Sequence, residues 1–228
     1  MSEATLGDKL VVSDAAQLAV RRVAIVSVLA VMLGLAMQGF VLGGKLAAGA
    51  PLPGLDLALD ITQGVTWSFL VCAGVSVGAA VTRGKAVLAG LIAAVFAPIA
   101  LALAKAAQKV MAGVTKAAGS EPVLSLGAIA GFRAVEYGLL GWLLAVLVQK
   151  GESRLRPYVA AGAGVGLIVG GSFVATSYWV AVSNGSPLAM PALAGITINE
   201  VVFPIGCSIV IYLGQMIARN LKLLGEQK

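Results

Sequence analysis

The sequence predicts an all-α integral membrane protein, a glycine-rich, tightly packed bundle of six transmembrane helices. Three observations carry that prediction. Hydrophobic residues make up 59% of the 228-residue chain and charged residues 11%, against about 25% charged in a soluble domain, so the surface must face lipid. The apolar residues gather into six stretches, each about as long as a spanning helix needs to be. Three alternate stretches are also bounded by polar residues about one bilayer apart. From Gln63 to Arg83 and from Glu136 to Arg156 is 20 residues, and from Glu200 to Arg219 is 19, roughly 30 Å at 1.5 Å per residue.

Stretch one is Val23 to Gly43, stretch two Ile61 to Val81, stretch three Ala86 to Ala104, stretch four within Val123 to Val148, stretch five Tyr158 to Val182 and stretch six Ile196 to Ala218. The charged leader before stretch one is too long for a cleaved signal peptide. Leu6, Leu10 and Leu18 among Asp8, Lys9, Asp14 and Gln17 suggest either a short surface-lying helix there or a frayed tail. The organisation is a cytoplasmic segment 1–22, a six-helix domain 23–218 and a cytoplasmic tail 219–228, with no room for a second domain.

Lysine and arginine set the orientation. With the amino terminus inside, the cytoplasmic segments carry Lys9, Arg21, Arg22, Arg83, Lys85, Lys150, Arg154, Arg156, Arg219, Lys222 and Lys228. The outer segments carry Lys45, Lys105, Lys109 and Lys116. Eleven against four puts both termini in the cytoplasm, as for a bacterial inner (plasma) membrane protein. The net charge of +6 is an insertion signal, helped by anionic lipid. It is split among short loops and is not a nucleic-acid patch.

Several chemistries are excluded. The chain has no histidine, which removes histidine-ligated haem and zinc sites and both Ser-His-Asp and Cys-His catalysis. It has no GxxxxGK[ST] loop. Gly162 to Gly166 resembles a dinucleotide loop but lies inside a span with no strand before it. Cys72 and Cys207 also fall inside spans, where a disulfide is not expected. No cofactor, metal or catalytic residue is assigned. The defining motifs of mitochondrial carriers and of lipid head-group transferases are absent.

The glycines have a packing explanation. Gly162, Gly166 and Gly170 line one helix face, and Gly39/Gly43, Gly74/Gly78 and Gly127/Gly131 repeat the four-residue spacing. Small residues at that spacing let helices cross closely where lipid offers no hydrophobic drive for association.

The ionisable residues within the spans are the candidate site, because a charge in the bilayer is costly. Arg133 and Glu136 are three apart and share a helix face, where they form either a neutralising salt bridge that fixes packing or the lining of a polar cavity. In one register, starting near Ala134, Glu136 lies at the outer interface. In the deeper register, starting at Val123, Arg133 lies roughly 15 Å in. Stretch six offers Asn199 and Glu200 before Pro204, whose ring displaces the Glu200 carbonyl from its helical bond and leaves it free to meet a cation or proton donor. Stretch two offers Gln63 and Asp60, the latter placed to cap the helix start. Lys105, Lys109 and Lys116 fall within about 40° of one another on a helical wheel, an outer cationic stripe suited to lipid phosphates, a funnel for anions or an acidic partner.

Stretches two, four and six share one pattern: a polar opening, an aromatic (Trp67, Tyr137 or Phe203) within a few residues, an apolar run and a closing arginine. Three two-helix units would form a pseudo-threefold bundle with the polar openings around an outer vestibule. The function expected is a small transporter or channel for a solute or ion, with a polar cavity in the outer half of the bundle lined by Arg133, Glu136, Glu200, Asn199, Gln63 and Asp60. Glu136 or Glu200 could exchange a proton with the solute. The alternative is a non-catalytic membrane subunit of a larger complex or homo-oligomer, docked through glycine faces and the lysine stripe.

Overall fold

A computed structural model describes residues 3–81, 85–116 and 123–225. Among these residues every regular element is helical. The helices are α1 (Glu3–Ala47), α2 (Asp56–Val81), α3 (Ala86–Thr115), α4 (Leu126–Gln149), α5 (Leu155–Val165), α6 (Gly171–Ser183), α7 (Met190–Thr197) and α8 (Phe203–Gly225). A π-helical turn, Gly166–Gly170, joins α5 to α6, and a second, Ile198–Val202, joins α7 to α8. The result is six helices long and apolar enough to cross a membrane: Ala19–Ala47, Asp56–Ala80, Ala86–Thr115, Leu126–Gln149, Leu155–Ser183 and Met190–Asn220. The chain is an integral membrane protein.

The spans alternate between an inner and an outer position. Span two packs on span three, three on four, four on five, five on six, six on one and one on two, closing a ring. Spans two, four and six also touch one another across the middle. They are accordingly the better covered: 44%, 39% and 50% buried, against 28%, 33% and 22% for spans one, three and five. The inner triangle is pinned by Trp67, Tyr137 and Phe203, one ring from each inner span, with centroids 5.3, 6.2 and 6.3 Å apart. One turn further along, the Cys72 and Cys207 thiols lie 3.3 Å apart, buried and free.

Local sequence explains where the helices begin. Ser125 accepts a hydrogen bond from the Ala128 amide and starts α4 at Leu126. This decides the register of span four in favour of the deeper alternative. Arg133 lies seven residues past Leu126, roughly 10 Å in, and Glu136 roughly 15 Å. Pro191 occupies the first turn of α7, where its missing amide costs nothing. Span six therefore starts six residues before the expected Ile196.

Three expectations need correction. Residues 3–20 do not form a separate surface helix but continue into span one as a single α1. Asp60 does not cap α2: the helix starts at Asp56, so Asp56 holds the first turn and Asp60 lies one turn inside. The glycine spacing has two meanings. A Cβ at Gly162, Gly166 or Gly170 would run into the backbone of Pro204, Val201 or Glu200, and one at Gly78 would meet the Ala89 carbonyl, whereas Gly39, Gly43, Gly127 and Gly131 have nothing within 4 Å. Of the closing arginines, Arg156 and Arg219 are exposed, and Arg83 lies outside the described residues.

Candidate functional site

Six crossings divide the bundle into two ends. One holds the chain termini. The other, the loop end, holds the connections after spans one, three and five. A cavity of about 520 Å³ opens within the loop-end half, reached by side chains from all six spans.

Its floor is a buried charge cluster. On α4 the sequence places Arg133, Glu136, Tyr137 and Leu140 on one inward face, all buried. Arg133 Nη1 donates to Glu136 Oε2 at 2.9 Å, and Nη2 donates to Glu200 Oε1 at 2.5 Å. Asn199 Nδ2 also donates to Glu200 Oε1, at 3.2 Å. The guanidinium carbon lies 4.8 Å from the Trp67 ring centre and 5.7 Å from that of Phe173, within cation–π range of both. Arg133 thus ties span four to span six and is roofed by rings from spans two and five. The three charged residues are 6%, 2% and 4% exposed, so one guanidinium and two carboxylates share a poorly hydrated pocket.

Four polar atoms around this cluster are buried without a partner: Arg133 Nε, Glu136 Oε1, Trp67 Nε1 and Tyr137 Oη. Each unmet group costs about 1–3 kcal/mol. Among the described residues these four lie around one guanidinium, on spans two and four.

The two π turns meet at the same level. Span five's turn packs on span six's, and Glu200 sits inside the latter. Widening the helix just ahead of Pro204 removes the ring clash that proline imposes on a regular helix. It does not deliver the Glu200 carbonyl to the cavity, as the proline had suggested. That carbonyl packs against Gly170, and only the carboxylate reaches the lining.

Nearer the loop end the wall carries a second set of polar groups. Lys45 and Asp60 form an ion pair at 3.0 Å. Lys105 Nζ donates to Gln108 Oε1 at 3.1 Å and Gln63 Oε1 at 3.4 Å. The lining also carries apolar side chains, Leu101, Leu124, Ile129 and Phe173 among them, together with the polar Gln38 and Ser177.

Of the residues singled out from sequence, Arg133, Glu200, Asn199, Gln63, Asp60 and Lys105 line this one cavity. Glu136 lies behind Arg133. The cationic stripe is broken: Lys105 turns inward, while Lys109 is exposed and Lys116 is exposed beyond the end of α3 in a left-handed conformation, φ 55°. Sequence reasoning missed Gln38, Lys45, Gln108 and Ser177 as polar members of this environment and gave no sign of either π turn. The proline four residues past Glu200 was a usable signal for the second. Among the described residues no group of three or more acidic or thiol side chains could hold a metal ion.

Outside the spans, Glu152 accepts from the Arg154 side chain at 3.0 Å and from its backbone amide at 2.9 Å. These bonds pull its carboxyl down to about 2 and tighten the connection between α4 and α5 at the other end of the bundle.

No protein-family model, curated protein or solved structure matches the chain.

Proposed function

We propose that this protein is a small transporter or channel of a bacterial inner membrane, with both termini in the cytoplasm and the cavity open to the outer side. The observation that carries the reading is the Arg133–Glu136–Glu200 cluster, buried at the floor of a cavity with unpartnered polar atoms beside it. Charges at that depth are expensive to keep for packing alone, and a neutral apolar contact would hold two helices together as well or better. The distribution of lysine and arginine supports the orientation.

In this reading Arg133 is a latch between spans four and six. A proton or solute that competes for Glu200 weakens the latch. The π turns in spans five and six, each a place where a helix departs from its regular bonding, give those spans somewhere to bend. The inner and outer alternation, and the three rings contributed at equivalent points, support descent from three two-helix units. Close backbone contact at Gly162, Gly166 and Gly170 supports a glycine-packed seam between spans five and six along which movement would occur.

The test uses purified protein in vesicles loaded with a pH-sensitive dye. The vesicles are challenged with inorganic ions and with small anionic, cationic and neutral organic solutes. Glu136→Gln and Glu200→Gln should each abolish the flux seen with wild type while the protein stays folded. Flux unchanged in both variants, or no flux above empty vesicles for any solute, refutes the proposal.

One observation favours a second reading, a non-catalytic subunit of a complex or homo-oligomer. Gly39, Gly43, Gly127 and Gly131 form exposed small-residue faces on α1 and α4 with nothing of this chain against them. A stoichiometric partner co-purifying in mild detergent supports that reading, and a lone monodisperse species counts against it.

A further inference from the structure

The cavity carries two charge clusters, and each is out of balance by one. Nearer the loop end, Lys45 and Lys105 face a single carboxylate among the described residues, Asp60, which Lys45 engages directly. Lys105 is left with two amide oxygens, Gln63 and Gln108, whose partial charges orient the ammonium without neutralising it. At the floor, Arg133 faces two carboxylates, Glu136 and Glu200. Among the described residues one end thus has a surplus of +1 and the other of −1. Away from bulk water an uncompensated charge is costly and recruits a counter-ion.

The two ends differ in what they can admit. Lys105 is half-buried and lines open cavity, so its counter-ion can be a solute. The floor residues are almost wholly covered, and Glu136 Oε1 has no donor at all. Glu200 reaches the lining but is only 4% exposed and Glu136 2%, so the smallest cation, a proton, meets them with the least rearrangement. The wall of Leu101, Leu124, Ile129 and Phe173 asks for an apolar body attached to the solute's charge.

We propose that the cavity binds an organic monoanion of the carboxylate class, its charged end on Lys105 and its body against this wall, together with one proton held by the Glu136–Glu200 pair. The proton comes from water and adds to a carboxylate oxygen of one of the two glutamates. The solute brings −1 and the proton +1, so the loaded cavity has the same net charge as the empty one. This rests on the transport reading and adds substrate class and coupling to it. The groups facing the carboxylate pair are Arg133 and Tyr137 on span four and Cys207 on span six, with Cys72 of span two behind it. Across the cavity stand Lys105 of span three, Lys45 of span one and Asp60 of span two, and among the described residues span five places no charged group there.

The test is a binding measurement, not a flux. Wild-type protein in lipid nanodiscs is titrated with benzoate and 2-naphthoate, with the neutral benzamide and with the cationic benzylamine. Calorimetry reads binding, and an indicator dye in weak buffer reads proton uptake. The anions should bind at least about tenfold more tightly than benzamide or benzylamine, with about one proton taken up per anion bound, as the charge count requires. Lys105→Gln should lose about tenfold in anion affinity, and Lys109→Gln, on the exposed face, should lose nothing. The double variant Glu136→Gln, Glu200→Gln should lose the proton uptake. Equal binding of benzamide, preference for benzylamine or no anion binding overturns the proposal, and anion binding without proton uptake overturns its coupling. These outcomes are read on wild type, so a variant that fails to fold does not obscure them. A cavity that prefers a cation leaves the transport reading standing, whereas vesicles without flux overturn that reading alone.

Discussion

Replacing Arg133 by methionine tests whether the floor cluster is a desolvated latch. The guanidinium makes two charged hydrogen bonds, to Glu136 and Glu200, and lies against the faces of Trp67 and Phe173. Methionine keeps most of the volume and removes all of the charge, leaving two buried carboxylates facing each other. Removing one partner of a buried ion pair costs about 3–5 kcal/mol, mostly because the remaining charge is stranded. For a chain of this length about 1 kcal/mol moves the melting point about 2–4 °C, so the expected loss is about 6–20 °C. The assay is thermal unfolding in one detergent at neutral pH, followed by circular dichroism. The decisive comparison is the triple variant Arg133→Met, Glu136→Gln, Glu200→Gln, which removes the stranded charges as well. It should recover more than half of the loss, because replacing a whole buried ionic set is often close to neutral. A single variant within about 1 kcal/mol of wild type would show that water already screens the cluster. A triple variant no more stable than the single would show that the guanidinium matters through packing.

Three further outcomes follow from particular contacts. Gly166→Ala and Gly170→Ala would drive a methyl group into the backbone of span six at Val201 and Glu200, and each should cost about 1–3 kcal/mol in the same unfolding assay. Gly127→Ala, with nothing within 4 Å, should leave stability unchanged or raise it by up to about 1 kcal/mol, and a large loss there would point to a partner on that face. The Cys72 and Cys207 thiols are in contact between spans two and six, so a small apolar oxidant should consume both without forming dimers on a gel, and two titratable thiols surviving would contradict the contact. Glu152 should titrate near 2 by carboxyl-carbon NMR, not near the usual 4.3. Its native value is depressed, so its contribution to stability is present above the unfolded value and is lost as pH falls from about 4.3 toward 2; a midpoint above 4 would refute the Arg154 contacts.

The class of the protein was legible because it depends on composition and length, and those are properties of sequence. So was the gathering of Gln63, Asp60, Arg133, Asn199 and Glu200, since residues at the same depth in alternate spans share one end of any antiparallel bundle. Depth does not give rotation about the helix axis. The three lysines of α3 looked equivalent on a wheel, yet Lys105 turns to Gln63 and Gln108 while Lys109 faces out. The same limit separates Gly162, Gly166 and Gly170, which press on a neighbouring backbone, from Gly127 and Gly131, which meet nothing. Of the two π turns, the one ahead of Pro204 had a local signal in that proline, whereas the one in span five had none. A π turn changes the bonding pattern by one residue, and the turn in span five packs on the turn in span six.

Those turns also bear on why the charge lies where it does. Each π turn rotates the residues that follow it relative to those before. In span six the turn contains Glu200 itself, so the carboxylate's direction is set at the helix irregularity and not by a rigid element. Arg133, by contrast, stands on an uninterrupted α4 whose Glu136, Tyr137 and Leu140 are fully packed. One half of the latch is fixed and the other sits on a joint. A change in that turn would redirect Glu200 relative to the helix that follows it, whereas Arg133 and Glu136 share one α-helix and move together. The floor cluster thus joins a rigid helix to a helical irregularity, beside the ring contacts of Trp67, Tyr137 and Phe203 that hold the three inner spans together.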